Sequence, residues 1–207
     1  AAREGAMGQD SFKSTHPIVQ DVRTVEQANQ AFDAITYSKG ESVLSMLEGF
    51  AGPDVWQRGI QAYIRAHAYQ NTKTVDLWNA MEGAGATGLG TVARDFIDQP
   101  GIPLIAVGPV QCVVGQTMAT LTQTQFSNDQ RAEVAARPLS WHVPVRASAG
   151  AAQAQVVTQG RSTQLQVPGC GPLLINSGQT GYYRTLYQPV QSQALVGAFQ
   201  GLSPVDE

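Results

Sequence analysis

The sequence predicts an α+β chain, helical before residue 100 and folded as an antiparallel β-sandwich after it. Three observations carry this expectation. Apolar residues recur three and four positions apart in the first half. Short runs rich in Val, Thr, Leu and aromatics, divided by Gly, Pro, Ser and Asn, fill the second. The charge changes at the same place: residues 1–100 hold 12 Asp/Glu and 8 Lys/Arg, whereas residues 101–207 hold 4 and 5, with no Lys.

Taken in order, the first helix runs from Thr36 to Phe50, because Val43, Met46, Leu47 and Phe50 repeat at helical spacing and Gly52-Pro53 stops them. The next starts at Pro53, where a missing N–H costs nothing and Asp54 suits the helix dipole. Trp56, Ile60, Tyr63, Ile64 and His67 are expected on its inner face. Thr74 offers an N-cap for a helix carrying Leu77, Trp78 and Met81, and the Gly-rich stretch 83–90 precedes a last one with Leu89, Val92, Ala93, Phe96 and Ile97. The spacing of Trp56, Tyr63, Trp78 and Phe96 fits helix packing better than a binding stripe.

Beyond Gly101, about seven short strands are expected, near 103–107, 117–124, 141–146, 154–159, 163–167, 173–175 and 181–187. That spacing fits two small antiparallel sheets. Pro144 belongs on an edge or at a bulge, since it cannot donate to a ladder. Alternation along the last strand sets Tyr182 and Arg184 opposite Tyr183 and Tyr187, one set packed and the other partly exposed.

Composition excludes several roles. Charged residues make up 14% of the chain, against roughly 25% in average soluble domains, so 23 Gln must supply much of the polar surface. A net charge of −3 with no basic run offers nothing to a phosphate backbone, and nucleic acid is not an expected partner. No membrane segment is expected, because no window approaches 18 consecutive apolar residues. Leu202-Ser203-Pro204-Val205-Asp206-Glu207 carries the signals of a helix start, and the chain opens on Ala1. We therefore read the chain as a piece of something longer.

Four segments in order then carry a family resemblance. They are Asp10-Ser11-Phe12 with Ser14-Thr15-His16-Pro17-Ile18 and Ala31-Phe32-Asp33-Ala34-Ile35-Thr36-Tyr37-Ser38-Lys39-Gly40; Asp98-Gln99-Pro100-Gly101-Ile102-Pro103; Ile175 to Arg184; and Leu202 to Asp206. Together they resemble the aminopeptidase N family of gluzincin zinc metallopeptidases. The resemblance implies that residues 1–100 are the helical rear part of a thermolysin-like catalytic domain, 101–189 a β-sandwich spacer, and 190–207 the start of a C-terminal helical domain. It implies a parent that removes N-terminal residues from peptides, with zinc as cofactor and peptide as substrate.

One catalytic residue is implied, Tyr37 of the Tyr-x-Lys-Gly element, as hydrogen-bond donor to the oxyanion. A phenol keeps its proton at neutral pH and binds more strongly as negative charge develops, which favours the transition state. The zinc-binding H-E-x-x-H, its third Glu ligand and the family's Gly-x-Met-Glu-Asn motif are not in this sequence, and His16, His67 and His142 have no ligand spacing. The chain alone is expected to bind no zinc and to be inactive. A non-catalytic module binding peptide or a partner is the alternative. Lys39 is expected to be a solvated or ion-paired helix charge, Gly40 to permit close packing, and His16 to organise the turn before Pro17. Cys112 and Cys170 are either a disulfide or two free thiols. The disulfide would favour a periplasmic or secreted location.

Overall fold

The computed structural model describes residues 2–206. Helix α1 (Ala2–Asp10) is followed by α2 (Val25–Gln30), where Thr24 caps the first turn and the Gln27 side chain returns to the Thr24 N–H. A π-helical turn (Ile35–Lys39) leads into α3 (Gly40–Ala51), and then come α4 (Pro53–Ala66), α5 (Thr74–Gly83) and α6 (Leu89–Ile97). The boundaries of α4 to α6 and the end of α3 follow the apolar spacing and the Gly52-Pro53 stop. Three details differ. The helix expected from Thr36 becomes α-helical only at Gly40, because Ile35–Lys39 form the π turn. Thr74 is the first helical residue, and Lys73 caps α5 with its N–H on Asp76 Oδ2 at 2.8 Å. Ile64 faces outward, 59% exposed, and the buried residue of α4 is Gly59. A Cβ at Gly59 would lie 2.4 Å from Met81 Sδ, so glycine permits the close approach of α4 and α5.

Among the described residues the second half holds eight strands, two further α-helices and a closing 3-10 turn (Phe199–Gly201): β1 (Ile102–Val107), β2 (Gln111–Val113), β3 (Gln116–Phe126), α7 (Arg131–Ala136), β4 (Val143–Ala149), β5 (Ala152–Thr158), β6 (Ser162–Pro168), β7 (Leu173–Ile175), β8 (Arg184–Leu186) and α8 (Pro189–Gly197). One sheet runs β2-β3-β1-β8, with β6 pairing the free side of β3; the other runs β5-β4-β7. All pairs are antiparallel except β8, which lies parallel to β1 with Leu104 beside Arg184, a departure from the expected all-antiparallel pairing. Local alternation does not specify strand direction, because a parallel partner is reached through a long connection. Pro144 sits in the middle strand of its sheet, on a stretch that β7 does not reach, and so has a local edge. Residues Ser203 to Asp206 make one turn, with the Asp206 N–H on Ser203 O at 2.8 Å; Glu207 and Ala1 lie outside the described residues.

The buried residues of both halves form one continuous cluster, from Ala6 and Met7 through Leu47, Trp78 and Phe96 to Ile105, Trp141, Val145 and Leu165. Each fully buried Leu, Ile, Val or Phe contributes about 1.5–3 kcal/mol. Glutamine is not confined to the surface. Gln123 of β3 is buried, accepts from the Trp141 N–H at 2.6 Å, and donates to Trp141 O at 2.8 Å and Thr158 Oγ1 at 3.0 Å, joining the two sheets. Among aromatics, Trp78 and Phe96 are core, whereas Trp56 and Tyr63 are half-buried.

Cys112 and Cys170 are joined as a disulfide with Cα atoms 5.5 Å apart. It ties the short edge strand β2 to the segment after β6 and spans 58 residues, for which the chain-entropy model gives about 4 kcal/mol. Reduction is expected to lower the denaturant midpoint correspondingly while leaving the far-UV spectrum unchanged. An identical unfolding curve with and without reductant contradicts that expectation.

Candidate functional site

The segment preceding α3 departs from regular α-helix. The Tyr37 N–H bonds to Asp33 O at 3.1 Å, and the N–H groups of both Ser38 and Lys39 converge on Ala34 O at 2.9 and 3.0 Å. The Lys39 bond is the i to i−5 contact of a π turn, a feature that recurs at functional sites. The turn sorts its side chains sharply. Ile35 and Lys39 are buried, while Tyr37 stands 58% exposed with its ring centroid 5.8 Å from that of the exposed Phe32.

The inner side of the turn is held by a buried ion pair. Lys39 Nζ lies 2.9 Å from Asp10 Oδ2, both side chains wholly buried, and donates to Gln99 O at 3.1 Å. It also sits 5.8 Å from the centre of the Tyr182 ring. Asp10 is satisfied from every side: its carboxylate accepts from the Gly101 N–H at 2.8 Å, from Tyr182 Oη at 3.2 Å and from Thr15 Oγ1. Burial pulls the Lys39 ammonium below the usual lysine range, and the Asp10 charge opposes that pull. Burial and Asp10 together push the Tyr182 phenol far up, so it remains a donor. Lys39 is thus ion-paired, as one of the two expected options had it, but entirely out of solvent. Gly40 has no neighbour within 4 Å of where a Cβ would lie, so close packing does not account for it.

On the outer side, Asp33 Oδ1 accepts the Thr36 N–H at 2.8 Å and Oδ2 meets His16 Nε2 at 2.5 Å, while His16 Nδ1 faces Pro17 O at 2.8 Å. Burial acts to lower the His16 pKa, but the Pro17 carbonyl, Asp33 and the charge of Asp10 outweigh it and raise it. Burial likewise acts to raise Asp33, and the Thr36 N–H and His16 outweigh it and lower it. The contribution of the pair is therefore fully present between the ordinary carboxylate and imidazole ranges. Its contribution fades as pH rises through the folded pKa of His16 or falls through that of Asp33.

Residues from the β half close the site from behind. Tyr182 and Tyr183 precede β8 and are both buried, so strand alternation does not apply to them. Tyr182 packs edge-on against Phe96 and places its N–H 3.4 Å from Met46 Sδ. Arg184 pairs with Glu4 Oε2 at 2.5 Å, which ties β8 to α1 and helps hold Glu4 below the usual carboxylate range. Of the three histidines, His16 meets Asp33, His142 Nδ1 meets Asp95 at 2.7 Å, and His67 lies tilted against Tyr63 with ring centroids 5.4 Å apart. Among the described residues no group of three or more His, Cys, Asp or Glu could hold a metal, and no helix is long and apolar enough to cross a membrane. Asp10 and the His16–Asp33 pair were not singled out by sequence; their signal was only their place within the resembling segments.

The Tyr-x-Lys-Gly turn packs against α1 and α3 within the helical half. Residues 1–96 match the model of the Peptidase family M1 domain. The glutamyl aminopeptidase of Bos taurus is 33% identical over 189 residues, 86% of this chain and 19% of that protein. The leucyl aminopeptidase of Saccharolobus solfataricus is 30% identical over 88% of this chain and 22% of its own length. Tricorn protease-interacting factor F2 of Thermoplasma volcanium is 29% identical over 98% of this chain and 24% of its own. This chain belongs to the aminopeptidase N family of M1 peptidases. It spans about a quarter of the length of the curated relatives it matches, or less.

Proposed function

We propose that the chain forms the rear part of the catalytic domain and the β-sandwich spacer of a zinc-dependent aminopeptidase that releases N-terminal residues from peptides. Residues 1–100 belong to the catalytic domain, 101–189 to the spacer and 190–207 to the start of a helical domain. The observation that carries this reading is the exposed Tyr37 on a π turn within the family's Tyr-x-Lys-Gly element. Its hydroxyl is the one catalytic group of this chain: it donates a hydrogen bond to the carbonyl oxygen of the scissile bond as that oxygen gains charge.

The described residues do not fit a zinc site, since His16 and His142 are each committed to a carboxylate and no third ligand stands near either. The ligands and the general base are assigned to the upstream part of the parent, and the chain alone is inactive. The disulfide supports a periplasmic or secreted parent, where such a bond persists.

The test uses full-length parent protein with one peptide in two forms, N-terminally free and N-acetylated. The N-terminal residue is expected to be released from the free form alone, to stop being released after chelation, and to be released again after zinc is added. No release by zinc-loaded full-length protein overturns the enzyme reading and favours the binding module.

A further inference from the structure

We infer that His16 and Asp33 are positioning residues for Tyr37, acting as a clamp that fixes the entry of the π turn. The inference rests on the reading of Tyr37 as the oxyanion donor. Asp33 touches the turn twice in its first residues, through its backbone oxygen on the Tyr37 N–H at 3.1 Å and through Oδ1 on the Thr36 N–H at 2.8 Å. The direction of the Tyr37 side chain follows from where these two N–H groups are held. Oδ2 is the remaining handle on Asp33, and His16 Nε2 occupies it.

The chemistry of the clamp requires a charged histidine. Nδ1 faces a carbonyl oxygen, which can only accept, and Nε2 faces a carboxylate oxygen, which also accepts. Both contacts are hydrogen bonds only when both ring nitrogens carry protons. Loss of one proton turns a donor into a lone pair against an oxygen and releases either the Pro17 or the Asp33 side. The charges acting on His16 are Asp33, just ahead of the turn, and Asp10, at the end of α1 and itself paired with Lys39. The pair is about a quarter exposed, so replacing it does not open a cavity in the core. The site works with its donor held in line at low pH and progressively unheld as His16 deprotonates.

The test is steady-state kinetics of full-length protein on a chromogenic aminoacyl substrate, followed through the neutral and mildly alkaline range. His16→Gln and Asp33→Asn are each compared with wild type in both Tyr37 and Tyr37→Phe backgrounds. In the Tyr37 background each variant is expected to lower kcat about tenfold with KM nearly unchanged, a modest share of what misplacement can cost. The alkaline fall of wild-type kcat is expected to be absent in His16→Gln. In the Tyr37→Phe background neither substitution is expected to lower kcat further. Equal losses in both backgrounds, or wild-type kcat and pH profile in His16→Gln, overturn the clamp and leave Tyr37 untouched. Near-normal turnover by Tyr37→Phe alone instead removes the reading on which the clamp rests. If a variant does not fold, the wild type decides by NMR: the His16 titration midpoint must coincide with the alkaline limb of kcat, and a separation of more than about one pH unit, tenfold in proton affinity, overturns it.

Discussion

Tyr37→Phe in the full-length protein is expected to lower kcat by about 100-fold or more, the scale of removing one oxyanion donor, with little change in KM or zinc content. The substitution removes a single hydroxyl and keeps the ring. Since the side chain is more than half exposed and its ring partner Phe32 is exposed as well, stability has little to lose. The free energy of unfolding is expected to stay within the small range typical of surface changes, about 0.5 kcal/mol. A bond that forms only as the carbonyl gains charge appears in kcat and kcat/KM alike. Near-normal turnover would remove Tyr37 from the mechanism. A rise in KM at constant kcat would make it a substrate-binding group rather than a catalytic one.

The second large effect concerns stability. Lys39→Met is expected to destabilise the fold by about 3–5 kcal/mol, the scale of breaking a buried ion pair from one side. It leaves the Asp10 carboxylate buried with its remaining donors, Gly101, Thr15 and Tyr182, but without a countercharge. Asp10→Asn is expected to cost a similar amount, because an amide placed at Oδ2 turns N–H groups toward Lys39 Nζ. The double variant should lose less than the sum of the two, since each single change strands a charge and the double change strands none. Urea unfolding gives all three values. Losses below about 1 kcal/mol for both single variants, the scale of an exposed pair, would show that the pair is not buried in solution.

The way these groups escape the sequence is physical. Helices α3 to α6 were legible because an apolar face repeats every three to four residues and Pro53 can only begin a helix, not continue one. Most strands were legible from alternation between Gly and Pro boundaries. The π turn was not: it is five residues long, too few for a change of period to register, and it is tied by Lys39 to Asp10 and Gln99, which are distant in sequence. The burial of Lys39 and Asp10 was not legible, because it depends on partners far along the chain. Helix α7 and strand β2 are short and carry no buried residue, so no periodicity marks them. The role proposed for Tyr37 rests on its Tyr-x-Lys-Gly context, and no periodicity forecast that its side chain stands exposed on the turn.

The position of Tyr182 also bears on how the molecule is made. Asp10 and Lys39 emerge during synthesis well before Tyr182 Oη, the hydrogen-bond partner 172 residues beyond Asp10, and before the Arg184 that pairs with Glu4. Until then the ion pair lacks its aromatic cover, and β1 lacks its parallel neighbour. Contacts of such long sequence separation are slow to form and leave apolar surface open in the meantime. The buried surroundings of the Asp10–Lys39 pair are therefore incomplete until the residues leading into β8 have been made. The step that completes them is the arrival of the strand that also completes the sheet.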